Sequence, residues 1–134
     1  MTAQELMAKA QRALTSAQTL LNDQDTDGAC NRAYYAMFDA ARAALLATAA
    51  PVPPEIAKTH SGLISAFSLH LIKTGKLPTE LGKALNKVEG LRLVSDYKGD
   101  SVNLEDSQWA LAQASTFVSE ISNLINNLEI ASRR

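Results

Sequence analysis

Arg92 and Asp96 are the two residues of this sequence whose types and spacing best suit a chemical role. They lie four positions apart in the segment GLRLVSDYKG, residues 90–99, so they share one face if the segment is helical. Arg92 also interrupts an apolar stripe of helical spacing, where another leucine would extend the core. A guanidinium in such a place requires an acidic partner, a subunit interface or a ligand phosphate. We therefore predict a site around Arg92, and the structural alternative is an intrahelical salt bridge to Asp96.

A second candidate site lies in the segment KTHSG, where a helix is predicted to begin. Free backbone amides and the helix dipole at a helix N-terminus favour an anion. A phosphate or carboxylate could therefore be held by the side chains that start this helix, Lys58, Thr59, His60 and Ser61. The alternative is structural, with Thr59 as a helix cap and His60 packed against the proline-containing loop before it.

Other kinds of chemistry find little support in the sequence. Two histidines without an acidic cluster at ligand spacing argue against a metal site. The single cysteine, Cys30, leaves neither an intrachain disulfide nor a cysteine metal cluster, and we expect it to be a small buried residue. The chain has no GxxxxGK[ST] loop, no GxGxxG after a strand and no GxSxG elbow. We therefore expect no cofactor and no metal.

Helices are predicted to position these residues. The segment 31–47, NRAYYAMFDAARAALLA, repeats alanine at three- and four-residue steps, which is typical of an amphipathic helix. Its alanines let neighbouring backbones approach closely, so we expect this helix in the middle of a bundle. Tyr34 and Tyr35 add apolar bulk, and their hydroxyls need a partner or water.

Apolar stripes and capping signals predict five helices, over residues 2–22, 27–49, 60–73, 78–98 and 103–130. The predicted N-caps are Thr2, Asp27, Thr59 and Asn103. Gly75 and Gly99 are predicted to end helices, and the prolines of residues 50–56 predict a loop. Because the connections are short, the fold class is predicted as all-α, an antiparallel up-and-down bundle of four to five helices. We expect one domain over residues 1–134.

Composition and charge narrow the setting and the partners. The net charge is −1, so no overall basic field draws the protein to nucleic acid. Contact with nucleic acid would need a local patch, or a patch completed by a second subunit. The chain has no run of eighteen apolar residues, and its N-terminus lacks the apolar centre of a signal peptide. We therefore expect the protein to be cytoplasmic and to make no contact with a membrane.

Three motifs in order resemble the HEPN domain family of prokaryotes. They are RAYYAMFDAARAAL, then KTHSGLISAF, and then Arg92 with Ser95-Asp96-Tyr97. The resemblance implies an antiparallel helical bundle, usually a homodimer. Genes of the family often lie next to a gene for a minimal nucleotidyltransferase, and the two products act as toxin and antitoxin, so the resemblance implies such a pair here as well. Many members cleave RNA without a metal.

The sequence departs from the motif of the family's nuclease members. Those members carry an arginine followed, after four to six residues, by a histidine, and both project into a cleft at the dimer interface. Arg92 matches the arginine of that motif. The positions where the histidine would stand hold Tyr97, Lys98 and Gly99, and Leu93 replaces the usual polar residue after the arginine.

Cleavage of RNA through the 2′-hydroxyl needs a base, an acid and stabilisation of the charge on the phosphorane. Arg92 can stabilise that charge. Asp96 could act as the base if its pKa were raised, which a neighbouring Arg92 opposes. Tyr97, with an ordinary pKa of ~10, is a poor acid–base residue at neutral pH. His60 could act instead only if the fold brings it near Arg92.

Three functions follow as hypotheses. The leading one is a HEPN-like homodimer that binds a nucleotide, RNA or a cognate protein in a toxin–antitoxin or defence system. The main alternative is an active, metal-independent ribonuclease toxin that uses Arg92 with Asp96, Tyr97 or His60. The other alternative is a structural partner subunit of a minimal nucleotidyltransferase.

Overall fold

Helices make up all regular structure in residues 1–133, which the computed structural model describes apart from the side chain of Tyr97. They are α1 (Ala3–Asn22), α2 (Thr26–Ala47), α3 (Pro54–Ala57), α4 (His60–Phe67), α5 (Thr79–Lys98) and α6 (Leu104–Ser132). A π-helical turn, Ser68–Ile72, continues α4. The prediction of an all-α helical bundle is confirmed. Within residues 1–133 no helix has both the length and the apolar character of a membrane span.

Local sequence signals set most helix ends where they were predicted. Thr2 caps α1 in a capping box, Thr59 caps α4 and Asn103 caps α6. Gly75 and Gly99 follow helical segments with φ angles of 76° and 73°. Residues with a Cβ seldom adopt this left-handed conformation, so glycine suits both helix ends.

The predicted cap of α2 was wrong, because Asp25 and not Asp27 fills that position. Asp25 Oδ1 accepts the backbone N–H of Gly28 at 2.9 Å. Asp27 lies in the first turn of α2, where its carboxylate accepts the backbone N–H of Val102 at 2.7 Å. This second bond ties the start of α2 to the loop before α6.

The connection after α2 also differs from its prediction. The helix ends at Ala47, two residues early, and Ala49 takes a left-handed φ of 53°. The one-turn helix α3 then begins at Pro54, inside the segment that was predicted as a loop. Proline is compatible with the first turn of a helix because its missing N–H would have no helical acceptor there.

Contacts between helix ends give the directions of the helices. Ser107 Oγ donates to the carbonyl of Thr26 at 2.9 Å, so the starts of α2 and α6 lie together. Gln4 Nε2 donates to Glu129 Oε1 at 2.8 Å, so the start of α1 lies at the end of α6. Hence α1 runs antiparallel to α6, and α2 runs parallel to it. The hydrogen bonds described below show that α5 runs antiparallel to α2, so α1, α2, α5 and α6 alternate in direction.

Alanine lines both sides of the contact between α1 and α2. On α1 the fully buried alanines are Ala10, Ala13 and Ala17, and on α2 they are Ala29, Ala33, Ala36, Ala40, Ala41, Ala43 and Ala44. Such small side chains allow close approach of two helix backbones at interior packing density. Because it also contacts α4, α5 and α6, α2 is the central helix of the bundle.

The central position of α2 predicts that added volume at Ala40 is destabilising. Ala40→Leu is expected to lower the free energy of unfolding by about 1–3 kcal/mol, because the larger side chain overpacks a filled core. Urea unfolding measures this change. Ala112→Leu, at an exposed position of α6, is the control and is expected to have little effect. Equal stability of both variants and the parent would contradict the placement of α2.

Candidate functional site

Tyr34 on α2 is fully buried, and its hydroxyl contacts two other helices. The hydroxyl donates to Glu89 Oε2 on α5 at 2.9 Å and lies 2.8 Å from Nδ1 of His60 at the start of α4. A buried phenol without partners would be costly, and these two contacts satisfy it. Burial, together with the hydrogen bond to Glu89, raises the pKa of Tyr34 well above its ordinary value, so the side chain remains a neutral phenol.

Arg92 on α5 lies against the same tyrosine. The residue is only 3% exposed, and its guanidinium carbon lies 4.8 Å from the ring centroid of Tyr34 and 5.8 Å from that of Tyr35. Both distances are in the range of cation–π contacts. Nη1 of Arg92 donates to Asp96 Oδ2 at 2.8 Å. The predicted i, i+4 pair is therefore present, with the arginine buried and the side chain of Asp96 33% exposed.

The other edge of the Arg92 guanidinium has no hydrogen-bond acceptor within the described part of the chain. Nε is buried without a partner, and Nη2 makes no hydrogen bond to a described residue. Nε–H and Nη2–H together form an edge through which arginine can bind an oxyanion with two parallel hydrogen bonds. A buried donor without an acceptor costs free energy. The fold around Arg92 therefore leaves the buried Nε–H without an acceptor among the described residues, whereas Nη2 is not one of the buried atoms that lack a partner.

Arg92 keeps its charge in this environment. Burial lowers the pKa of the guanidinium, but Tyr35 and the hydrogen bond that Arg92 donates to Asp96 raise it, and the net pKa lies above the ordinary value. Asn31 Nδ2 on α2 also approaches Asp96 Oδ2, at 3.4 Å. The carboxylate of Asp96 thus lies between α2 and α5 and faces a permanent cation.

Tyr34, Tyr35 and Phe38 form an aromatic cluster on α2, and His60 packs against all three. The centroid of the imidazole ring lies 5.3 Å from that of Phe38, 5.5 Å from that of Tyr34 and 5.9 Å from that of Tyr35. His60 therefore packs against the aromatic cluster of α2. Because Arg92 contacts Tyr34 and Tyr35 as well, the fold brings the histidine of α4 and the arginine of α5 to the same two rings.

The remaining residues of the KTHSG segment have other surroundings. Thr59 Oγ1 accepts the backbone N–H of Gly62 at 3.1 Å, which is the capping role. Ser61 is exposed, and Lys58 lines a separate cavity of about 430 Å³ between the end of α2 and α3. The anion site at the start of α4 stays a prediction, and of its four residues His60 joins the aromatic cluster.

Three further points concern the predicted site. The side chain of Tyr97 lies outside the described residues, so its role also stays a prediction. Glu89 was missed by the sequence reasoning, although it precedes Arg92 by three residues and so shares its helix face. Among the described residues, no group of three or more His, Cys, Asp or Glu side chains could hold a metal ion.

Comparison with known proteins identifies the family of this chain. The family described as HEPN domain matches residues 3–128. The chain therefore belongs to the HEPN domain family, as the resemblance implied.

Several relatives align over most of their length. A UPF0332 protein of Gloeobacter violaceus is 38% identical over 117 residues, which cover 86% of this chain and 89% of that protein. A UPF0332 protein of Thermotoga maritima is 35% identical over 126 residues, or 92% and 90% of the two chains. A protein of Methanocaldococcus jannaschii named "Putative toxin" is 30% identical over 118 residues, or 87% and 77%.

The buried charge of Arg92 and its Nε–H without an acceptor lead to a prediction about stability. Arg92→Met is expected to leave the free energy of unfolding within about 1 kcal/mol of the parent or to raise it. The variant removes a buried charge and an unpaired donor while it keeps most of the packed volume. Leu85→Ala, which truncates a fully buried side chain of the same helix, is the control and is expected to cost about 2–5 kcal/mol. A loss of that size for Arg92→Met in urea unfolding would instead assign the arginine a structural role.

Proposed function

We propose that this HEPN-family protein is a component of a toxin–antitoxin or defence system and binds RNA through Arg92 at a homodimer interface. The observation that carries the proposal is the buried Nε–H of Arg92, a nearly buried and charged arginine, which has no acceptor among the described residues. The name "Putative toxin" of the relative from Methanocaldococcus jannaschii supports the system in which we place it.

A phosphodiester of RNA suits the surroundings of Arg92. Two oxygens of a phosphate group can accept hydrogen bonds from Nε–H and Nη2–H of Arg92. The positive charge of the arginine also attracts the phosphate. Tyr35 is only partly buried and offers an aromatic face on which a base can stack. The guanidinium carbon of Arg32 lies 5.9 Å from the same ring centroid, so the cations of Arg32 and Arg92 both lie near Tyr35. These arginines supply positive charge locally, although the net charge of the chain is −1.

A second copy of the chain would complete the site. Leu93 and Val94 follow Arg92 directly on α5 and are exposed, so α5 presents apolar surface on sides other than the one that carries Arg92. Apolar surface of this kind is typical of a face that another subunit covers. A homodimer that packs α5 against its copy through this surface would bring the two Arg92-containing helices to one interface.

The dimer has a direct test in solution. Light scattering at tens of micromolar protein, a concentration at which weak homodimers form, is expected to give a mass of about twice 14.4 kDa. Replacement of both Leu93 and Val94 by Glu is expected to shift the mass toward the monomer, because the charges desolvate poorly in an apolar interface. Leu69→Glu, at another exposed leucine, is the matched control. A parent protein that is monomeric under these conditions would contradict the composite site.

RNA binding is tested by fluorescence anisotropy with a labelled single-stranded RNA in the presence of a chelator. Arg92→Met is expected to weaken the affinity about tenfold or more, because both hydrogen bonds to phosphate are lost. Arg12→Met removes an exposed arginine of α1 and serves as the matched control for net charge. Equal affinities for the parent and for Arg92→Met would contradict the proposed function.

Metal-independent RNA cleavage is a second candidate function, and one observation favours it. His60 and Arg92 contact the same two tyrosines, so a base or acid and a group that stabilises phosphorane charge lie in one cluster. The same RNA, incubated with protein and chelator, is then analysed on a gel. Fragments that disappear in both His60→Gln and Arg92→Met would support cleavage. Binding without fragments would support the RNA-binding function alone. The absence of both binding and cleavage would favour the role of a nucleotidyltransferase partner subunit.

A further inference from the structure

We propose that Glu89 and Tyr34 are positioning residues that hold the proton of neutral His60 on Nδ1 and leave Nε2 as an acceptor for a ribose 2′-hydroxyl. The choice of RNA as the ligand rests on the proposed function. The assignment of the histidine tautomer rests on the geometry around Tyr34 alone.

The direction of the hydrogen-bond chain follows from the number of protons in it. Glu89 Oε2 as a carboxylate oxygen can only accept, so the single phenolic proton of Tyr34 is used in the 2.9 Å bond to Glu89. The phenolic oxygen can then only accept in its 2.8 Å contact with His60 Nδ1. The histidine must therefore donate through Nδ1–H. In a neutral imidazole, a proton on Nδ1 leaves the lone pair on Nε2.

The burial of the chain holds this arrangement in place. Tyr34 is fully buried, so water does not compete for its hydroxyl. The His60 ring is packed between the rings of Tyr34, Tyr35 and Phe38, which limits its rotation. A second residue that orients a histidine through one nitrogen and frees the other is the general device by which proteins set the tautomer of a base.

Nε2 of His60 is turned away from this network. It makes no hydrogen bond to a described residue, and it is not among the buried polar atoms that lack a partner. His60 as a whole is partly exposed, and it lies against the two tyrosine rings that Arg92 also contacts. Binding of a proton at Nε2 would leave the Nδ1–H bond to Tyr34 intact, so the nitrogen can accept a hydrogen bond or a proton without rearrangement.

A ribose hydroxyl is the group that this acceptor suits. Arg92 on the neighbouring helix has an edge suited to a phosphate, and in RNA the 2′-hydroxyl adjoins the phosphodiester and supplies a donor. DNA of the same sequence lacks that donor. An acceptor-only Nε2 would thus favour RNA over DNA, whereas the charge of Arg92 would act on both.

The tautomer is read by NMR of protein labelled with ¹⁵N in histidine. The chain has two histidines, so His70 serves as the internal control. At alkaline pH, where imidazole is neutral, we expect His60 to show the nitrogen shifts of a protonated Nδ1 and an unprotonated Nε2. A neutral His60 with its proton on Nε2 would overturn the proposal, whatever the protein does with RNA.

Two variants test the roles of the positioning residues. Tyr34→Phe removes the hydroxyl, and Glu89→Leu frees the phenolic proton to donate to Nδ1. Both are expected to move the proton of neutral His60 to Nε2 and to leave the His70 signals unchanged. Glu80→Leu, at an exposed position of the same helix α5, is the matched control. If either variant fails to fold, the other still decides, and an unchanged His60 tautomer in a folded variant contradicts the role of the residue replaced.

The ligand is tested by the ratio of affinities for RNA and for DNA of the same sequence. We expect the parent to prefer RNA about fivefold to tenfold through one hydrogen bond. His60→Phe, which removes Nε2, is expected to reduce this ratio, whereas Arg92→Met lowers both affinities. A ratio that His60→Phe leaves unchanged would overturn the role of Nε2 in reading the hydroxyl. If the parent binds no RNA, the proposed function fails, and the NMR result still decides the tautomer.

Discussion

The buried hydroxyl of Tyr34 is the constraint on which the arrangement of the candidate site depends. A phenol at that depth must have polar partners, and the nearest backbone groups of α2 are already engaged in the helix. The partners come from two other helices, with Nδ1 of His60 at one side and the carboxylate of Glu89 at the other. One hydroxyl therefore sets how the start of α4 and the middle of α5 lie against α2. Arg92, one turn after Glu89, is placed on the same ring by that docking.

The alanines of α2 explain why this tyrosine is buried at all. Because small side chains fill the face toward α1, the two helices pack closely and the remaining helices cover the other faces of α2. The large rings of Tyr34 and Phe38 then fill the space toward α4 and α5. On α2, alanines thus provide close packing against neighbouring helices, whereas the aromatic residues carry the polar contacts through Tyr34. The candidate site lies at the boundary between these two kinds of surface.

Sequence reasoning predicted what depends on near neighbours in the chain. The helix class, the caps at Thr2 and Asn103 and the Arg92–Asp96 pair all follow from spacings of three or four residues. The cap of α2 was missed because Asp25 and Asp27 are equally good caps by type, and a long-range bond to Val102 engages the second. The contacts of Tyr34 with His60 and Glu89 join residues 26 and 55 positions apart. Helical periodicity carries no information about contacts between residues so far apart in the chain. The need of the Tyr34 hydroxyl for a partner was therefore predicted, but the identity of its partners was not.

The histidine and the arginine of the candidate site come from different helices, α4 and α5. In the motif that the family's nuclease members carry, arginine and histidine follow one another closely in the chain. Here α5 ends at Lys98, and Asp96 takes the position one turn after Arg92. A histidine can then approach the arginine only from another helix, and His60, at the first position of α4, packs against the same two rings as Arg92. Its placement depends on the docking of α4 against the aromatic cluster and on Tyr34, so packing in the core of the bundle controls the position of this histidine.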